Sequence, residues 1–172
     1  MTSAAREPQA SPSRPGTAGD RPLTVNELPQ ETLDFASKMF DLARNGETEQ
    51  LEAYLDAGLP ANLTNHTGAT LLMLAAYHGH AATVAALVKR GADVNALNDK
   101  GQSPLAGAVF KGEEEVVKIL VEARADPNAG QPSAMQAATV FNKPQYLELF
   151  QQQSGGRAAP DQNAHSLQTV NS

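Results

Sequence analysis

Apolar positions in the centre of the chain follow a helical spacing that restarts at short intervals. Leu72, Ala75 and Ala76 share one face of a short helix, and Val84, Leu87 and Val88 repeat the i, i+3, i+4 pattern on a second. Gly79 stands between the two, where a left-handed backbone ends the first helix. Gly91 closes the second, and Ala92-Asp-Val-Asn leads into a loop. The predicted unit is a helical hairpin followed by a turn, apolar on its stacking faces.

The unit recurs. Gly58 and Gly91 are 33 residues apart, as are the steps Asn62 to Asn95 to Asn128, and Gly46 to Gly79 to Gly112. Two series locked at one period define a repeat array. A single hairpin cannot bury its own apolar faces, so neighbours must stack, and the small Ala75, Ala76 and Ala108 allow the helices to approach closely.

These residues resemble ankyrin repeats. The matching pieces are Gly68-Ala-Thr-Leu-Leu-Met-Leu-Ala-Ala-Tyr-His-Gly-His and Gly91-Ala-Asp-Val-Asn-Ala, then Gly101-Gln-Ser-Pro-Leu and Ala125-Asp-Pro-Asn-Ala, within a likeness covering about residues 32 to 150. The resemblance implies an all-α solenoid of about four helix-turn-helix units, each with a short β-turn finger. The expected array occupies residues 29–152: an N-terminal cap repeat at 29–63, repeats at 64–97 and 98–130, and a truncated C-terminal cap repeat at 131–152. In that last unit Ser133 onward aligns with Ser103 onward at an offset of 30, so Asn142 takes the place of Gly112. Asn tolerates that left-handed position better than most residues. Leu71-Leu-Met73 departs from the family's Pro-Leu-His and removes the hydrogen bonds of that histidine. Gly107 falls inside a helix, and Arg124 occupies the slot of Gly58 and Gly91, where a Cβ strains the backbone. The third interface is expected to be the softest.

Composition narrows the function. Eight residues of 172 are aromatic and none is cysteine, so Ala and Leu must fill the core, and disulfides, thiolate metal sites and cysteine nucleophiles are excluded. The longest apolar run, Leu71 to Tyr77, is seven residues, against the ~20 that span a bilayer. No secretory signal is visible at the start, and the expected setting is the cytoplasm. Residues 1–28, rich in Pro and Ser, and the polar 153–172 are expected to be disordered tails. Between residues 26 and 150 sixteen acids stand against nine Lys or Arg, which repels phosphate backbones and makes a basic protein surface the more natural partner. No nucleic acid, membrane or cofactor is expected as a partner, and the chain is expected to be a monomer.

No catalytic motif is present. His66, His78 and His80 could be read as a metal-dependent site, but no fourth ligand has supporting spacing. Glu113, Glu114 and Glu115 read as first-turn acids that favour a helix dipole. The chain is therefore read as a non-catalytic protein-binding module, a regulator or adaptor, or alternatively an assembly chaperone or inhibitor that masks a basic protein. By resemblance, the binding surface is the concave edge of fingers and first helices: Arg44, Asn45, His66, Thr67, Ala69, Tyr77, His78, Asp99, Lys100, Gln102, Phe110, Lys111, Val140 and Phe141. Tyr77 and Phe110, 33 residues apart, are its expected anchors, unless they only pack on each other.

Overall fold

Short polar residues decide where the first helix of each repeat begins. In the computed structural model, which describes residues 29–155, Thr70 Oγ1 accepts from the Met73 N–H at 3.1 Å and Ser103 Oγ from the Ala106 N–H at 3.1 Å. Ser133 completes a capping box, accepting from the Gln136 N–H at 3.2 Å while Gln136 Oε1 accepts from the Ser133 N–H at 2.9 Å. Each such cap contributes about 1 kcal/mol. Met73 stands where the family's pattern has a histidine, and its N–H is the group that the Thr70 hydroxyl caps.

The described residues form eight helices in four antiparallel pairs. These are α1 (Gln30–Asn45) with α2 (Thr48–Asp56), α3 (Leu71–Tyr77) with α4 (Ala81–Lys89), α5 (Pro104–Lys111) with α6 (Glu114–Glu122), and α7 (Ala134–Val140) with α8 (Pro144–Gly155). Helices α1, α3, α5 and α7 pack in sequence as an inner row, and α2, α4, α6 and α8 as an outer row. This is the all-α repeat stack expected from the 33-residue period. Among the described residues no helix is long and apolar enough to cross a membrane.

The core runs between the rows. Leu72, Leu87, Leu105, Val109, Val117, Leu120 and Phe150 are fully buried, as are the small Ala75, Ala76, Ala108 and Ala138 of the inner row. Burying each large side chain stabilises the stack by about 1.5–3 kcal/mol. Between units 1 and 2, Arg90 reaches Glu52 at 2.9 Å and Asp56 at 2.8 Å. Asn62 Oδ1 accepts from the Asp93 N–H and Asn95 Oδ1 from the Asp126 N–H, both at 2.7 Å, so one asparagine in each of the first two units ties its loop to the next. At the opposite end, Asn65 and Asn98 fold the fingers by accepting from N–H groups two and four residues ahead. The fingers join through Asp99 N–H to Thr67 O at 3.0 Å and Gln131 N–H to Gly101 O at 2.8 Å.

The inter-helix turns need glycine for two reasons. Gly46 has φ +73°, and a Cβ there would come within 2.5 Å of the His80 ring of the next unit. The Glu113 carboxylate covers Gly79 in the same way, whereas at Gly112, φ +78°, a Cβ would meet only the Lys143 ammonium at 3.8 Å, so there the backbone alone requires glycine. The fourth unit uses Asn142 at φ +51°, and Arg124 adopts φ +66° in the slot of Gly58 and Gly91, both as expected from the alignment of repeats.

The C-terminal boundary differs from expectation. Helix α8 runs through Gly155, past the boundary placed at residue 152. Gln153 is the reason: its side-chain amide donates to Val121 O and Ala125 O at 3.1 Å each, tying the polar end of α8 to the third unit. The rest of the expected disordered tails, 1–28 and 156–172, lies outside the described residues.

Candidate functional site

A groove of about 660 Å³ runs along the inner row between the fingers and α3, α5 and α7. Its apolar lining comes one helix at a time: Met73, Leu74 and Tyr77, then Ala106, Gly107 and Phe110, then Ala137, Val140 and Phe141. Thr67, Ala69, Asn98, Lys100, Gln102, Ser103, Pro132 and Gln136 complete it. Four of the large apolar groups remain open to solvent, Val140 at 76%, Phe110 at 55%, Phe141 at 45% and Tyr77 at 38%. Tyr77 and Phe110 follow directly on the last core positions of their helices, so the helical twist that buries Ala76 and Val109 turns them outward, and Val140 and Phe141 lie beyond the buried Ala138 of α7.

The rings pair differently from the packing weighed for Tyr77 and Phe110. Phe110 meets Phe141 edge-on, with centroids 5.3 Å apart and planes at 75°. Phe141 occupies the repeat position of Lys111, and the truncated fourth unit thereby supplies a ring where earlier units carry a polar group. Tyr77 instead holds the Lys111 ammonium 5.2 Å from its centroid and lies over Gly107, where a Cβ would stand 3.6 Å from the ring.

Of the residues expected from the sequence, Thr67, Ala69, Tyr77, Lys100, Gln102, Phe110, Val140 and Phe141 line this groove, with Ala69 buried in its floor. Arg44, Asn45, His66, His78, Asp99 and Lys111 are exposed but outside its lining. Arg44 pairs with Asp41, and its carbonyl accepts from His80 Nε2 at 2.8 Å, so His80 is a joint between units 1 and 2. His78 stacks on His80 with centroids 6.4 Å apart. Partial burial holds the His78 imidazole below its ordinary value, and the positive charges of His80, Arg44 and Lys111 add to the effect. Among the described residues no three His, Asp or Glu side chains are grouped to hold a metal ion. The Asp99 carboxylate lies against Gly68 of the preceding finger.

The sequence reading missed Met73, Leu74, Ala106, Gly107, Gln136 and Ala137 on the helices, and Asn98, Ser103 and Pro132 in or beside the fingers. A signal for the first six was present: they stand three and four residues before Tyr77, Phe110 and Val140, on the same helix face.

Charge is divided between the two rows. Glu47, Glu49, Glu52, Asp56, Glu113, Glu114, Glu115 and Glu122 belong to α2 and α6 or to their N-caps, whereas in the inner row α3, α5 and α7 contain one charged residue, Lys111, and the acids Glu31, Asp34 and Asp41 of α1 are nearly balanced by Lys38 and Arg44. The acidic excess therefore belongs to the outer row, and the basic partner inferred from net charge matches that row, not the groove.

A family model described as "Ankyrin repeats (3 copies)" matches residues 39–131. A curated protein of Pseudomonas aeruginosa, named as an ankyrin repeat protein, is 59% identical over 58 residues. That match covers 34% of this chain and 34% of the relative, so the chain spans about a third of the relative's length.

Proposed function

The chain belongs to the ankyrin repeat family, and from that premise we propose that it is a non-catalytic adaptor or regulator whose partner protein binds in the groove along α3, α5 and α7. Repeats of this family are in general protein–protein interaction modules. The observation that carries the reading is the run of exposed Tyr77, Phe110, Val140 and Phe141 on helices whose opposite faces are locked in the core. Large rings on a rigid scaffold bury much area at little conformational entropy, the property of interface anchors. Thr67, Lys100 and Gln102 supply polar contacts from the fingers, with Arg44, Asn45, His66, His78, Asp99 and Lys111 at the rim. The monomer acts in the cytoplasm, with neither nucleic acid nor membrane as a partner.

A second reading, a chaperone or inhibitor that masks a basic protein, is favoured by the carboxylates of α2 and α6. One comparison separates the two. Proteins captured by the wild-type chain are compared with those captured by Phe110→Ala and Glu115→Lys variants of matched thermal stability. On the groove reading, Phe110→Ala weakens the partner by about 2 kcal/mol, while Glu115→Lys on α6 retains it. Retention by Phe110→Ala with loss on Glu115→Lys, which repels a basic partner, would move the site to the outer row.

A further inference from the structure

We propose that the groove selects a segment of a partner protein that places a carboxylate beside a bulky apolar side chain. The inference rests on the groove being the binding site and adds the chemistry of its occupant. Phe110, Val140 and Phe141 form an apolar wall at the fourth-unit end, where 76% of Val140 is exposed. Lys100 is the one charged residue in the lining, and Lys111, next in sequence to Phe110, lies over the ring of Tyr77, which also lines the groove. Among the described residues neither lysine forms an ion pair, and the nearby carboxylate in sequence, Asp99, is turned onto Gly68. A cation unpaired beside an apolar wall attracts an acidic group and repels a basic one. The chain's net charge of −6 argues for the opposite partner, so the test is discriminating.

The test is a selection of phage-displayed random peptides on the full chain, with the dissociation constant of each enriched peptide measured by fluorescence anisotropy. Enriched peptides should combine Asp or Glu with Phe, Leu, Trp or Tyr, and should weaken as salt is raised. The double variant Lys100→Glu, Lys111→Glu should reduce their affinity by about tenfold or more. Both lysines are exposed, and thermal melting checks that the variant keeps its fold. Enrichment of basic peptides, or of none, overturns the proposal. So does a concentration-dependent dimer abolished by Val140→Asp, which would make a second copy the occupant. Peptides lost with Phe110→Ala but indifferent to lysine reversal overturn the charge rule while leaving the groove as the site. Acidic peptides indifferent to Phe110→Ala overturn both.

Discussion

Replacing Arg124 by Gly should stabilise the protein, although it deletes a whole side chain. Arg124 has φ +66°, and the equivalent Gly58 and Gly91 have φ +105° and +83°. An L-residue in that conformation costs about 1–2 kcal/mol. Glycine removes this strain but enlarges the unfolded ensemble, which offsets about 0.5–1 kcal/mol. The guanidinium is exposed and makes no ion pair or side-chain hydrogen bond among the described residues, so few contacts are lost. Its position just past the C-terminus of α6 favours the helix dipole by about 0.3 kcal/mol. The net gain is about 0.5 kcal/mol, or about 2 °C in Tm for a domain of this size. Gly91→Ala is the mirror experiment: a Cβ there meets nothing within 4 Å, so its loss of about 0.5–1 kcal/mol is backbone strain less the same unfolded-state offset, with no steric part. Urea denaturation followed by circular dichroism measures both. If Arg124→Gly lowers the midpoint while Gly91→Ala leaves it unchanged, the left-handed slot is not the source of strain.

Gly46→Ala should be far more damaging than Gly91→Ala, by about 2–4 kcal/mol, because strain at φ +73° is joined by a clash with the His80 ring. Adding His80→Ala should recover the steric part, and a double-mutant cycle without coupling would refute the contact. His78 makes stability depend on pH: its folded-state pKa lies below the ordinary 6.5, so the unfolded chain takes up the proton more readily. Stability from this residue is complete above about pH 6.5 and declines as pH falls toward the folded value, and His78→Gln should flatten the urea midpoint across that range. Identical slopes for wild type and variant would refute the assignment.

Repeat period, helix order and the unusual backbone at Arg124 and Asn142 were legible because each is a local demand repeated down the chain. A left-handed turn needs the same residue type wherever it recurs. The Thr70, Ser103, Ser133 cap series was equally periodic and went unread, since it alternates between two residue types and shifts with the shortened fourth unit. The end of α8 was misplaced because the polar Gln151-Gln-Gln reads as tail, whereas Gln153 bonds to carbonyls contributed by the third unit. Net charge could not be assigned to a surface from the sequence for a related reason. A sum along the chain weights Glu114 and Lys111 equally, although one belongs to the outer row and the other stands beside the groove.

The helices of the fourth unit pack chiefly on those of the third, α7 on α5 and α8 on α6. Yet α7 and its C-cap supply Val140 and Phe141, two of the most exposed apolar groups of the groove. In such an array the terminal unit can open while its neighbours stay folded. Opening it would dismantle one wall of the groove and leave Met73, Leu74 and Tyr77 in place. Occupancy and local folding are therefore linked functions of one another: a partner seated against Phe141 protects the amides of α7 and α8 from exchange more than those of α1 and α2. Read thermodynamically, the end of the stack is a hinge between binding and order, and its stability sets how much of any intrinsic affinity is observed.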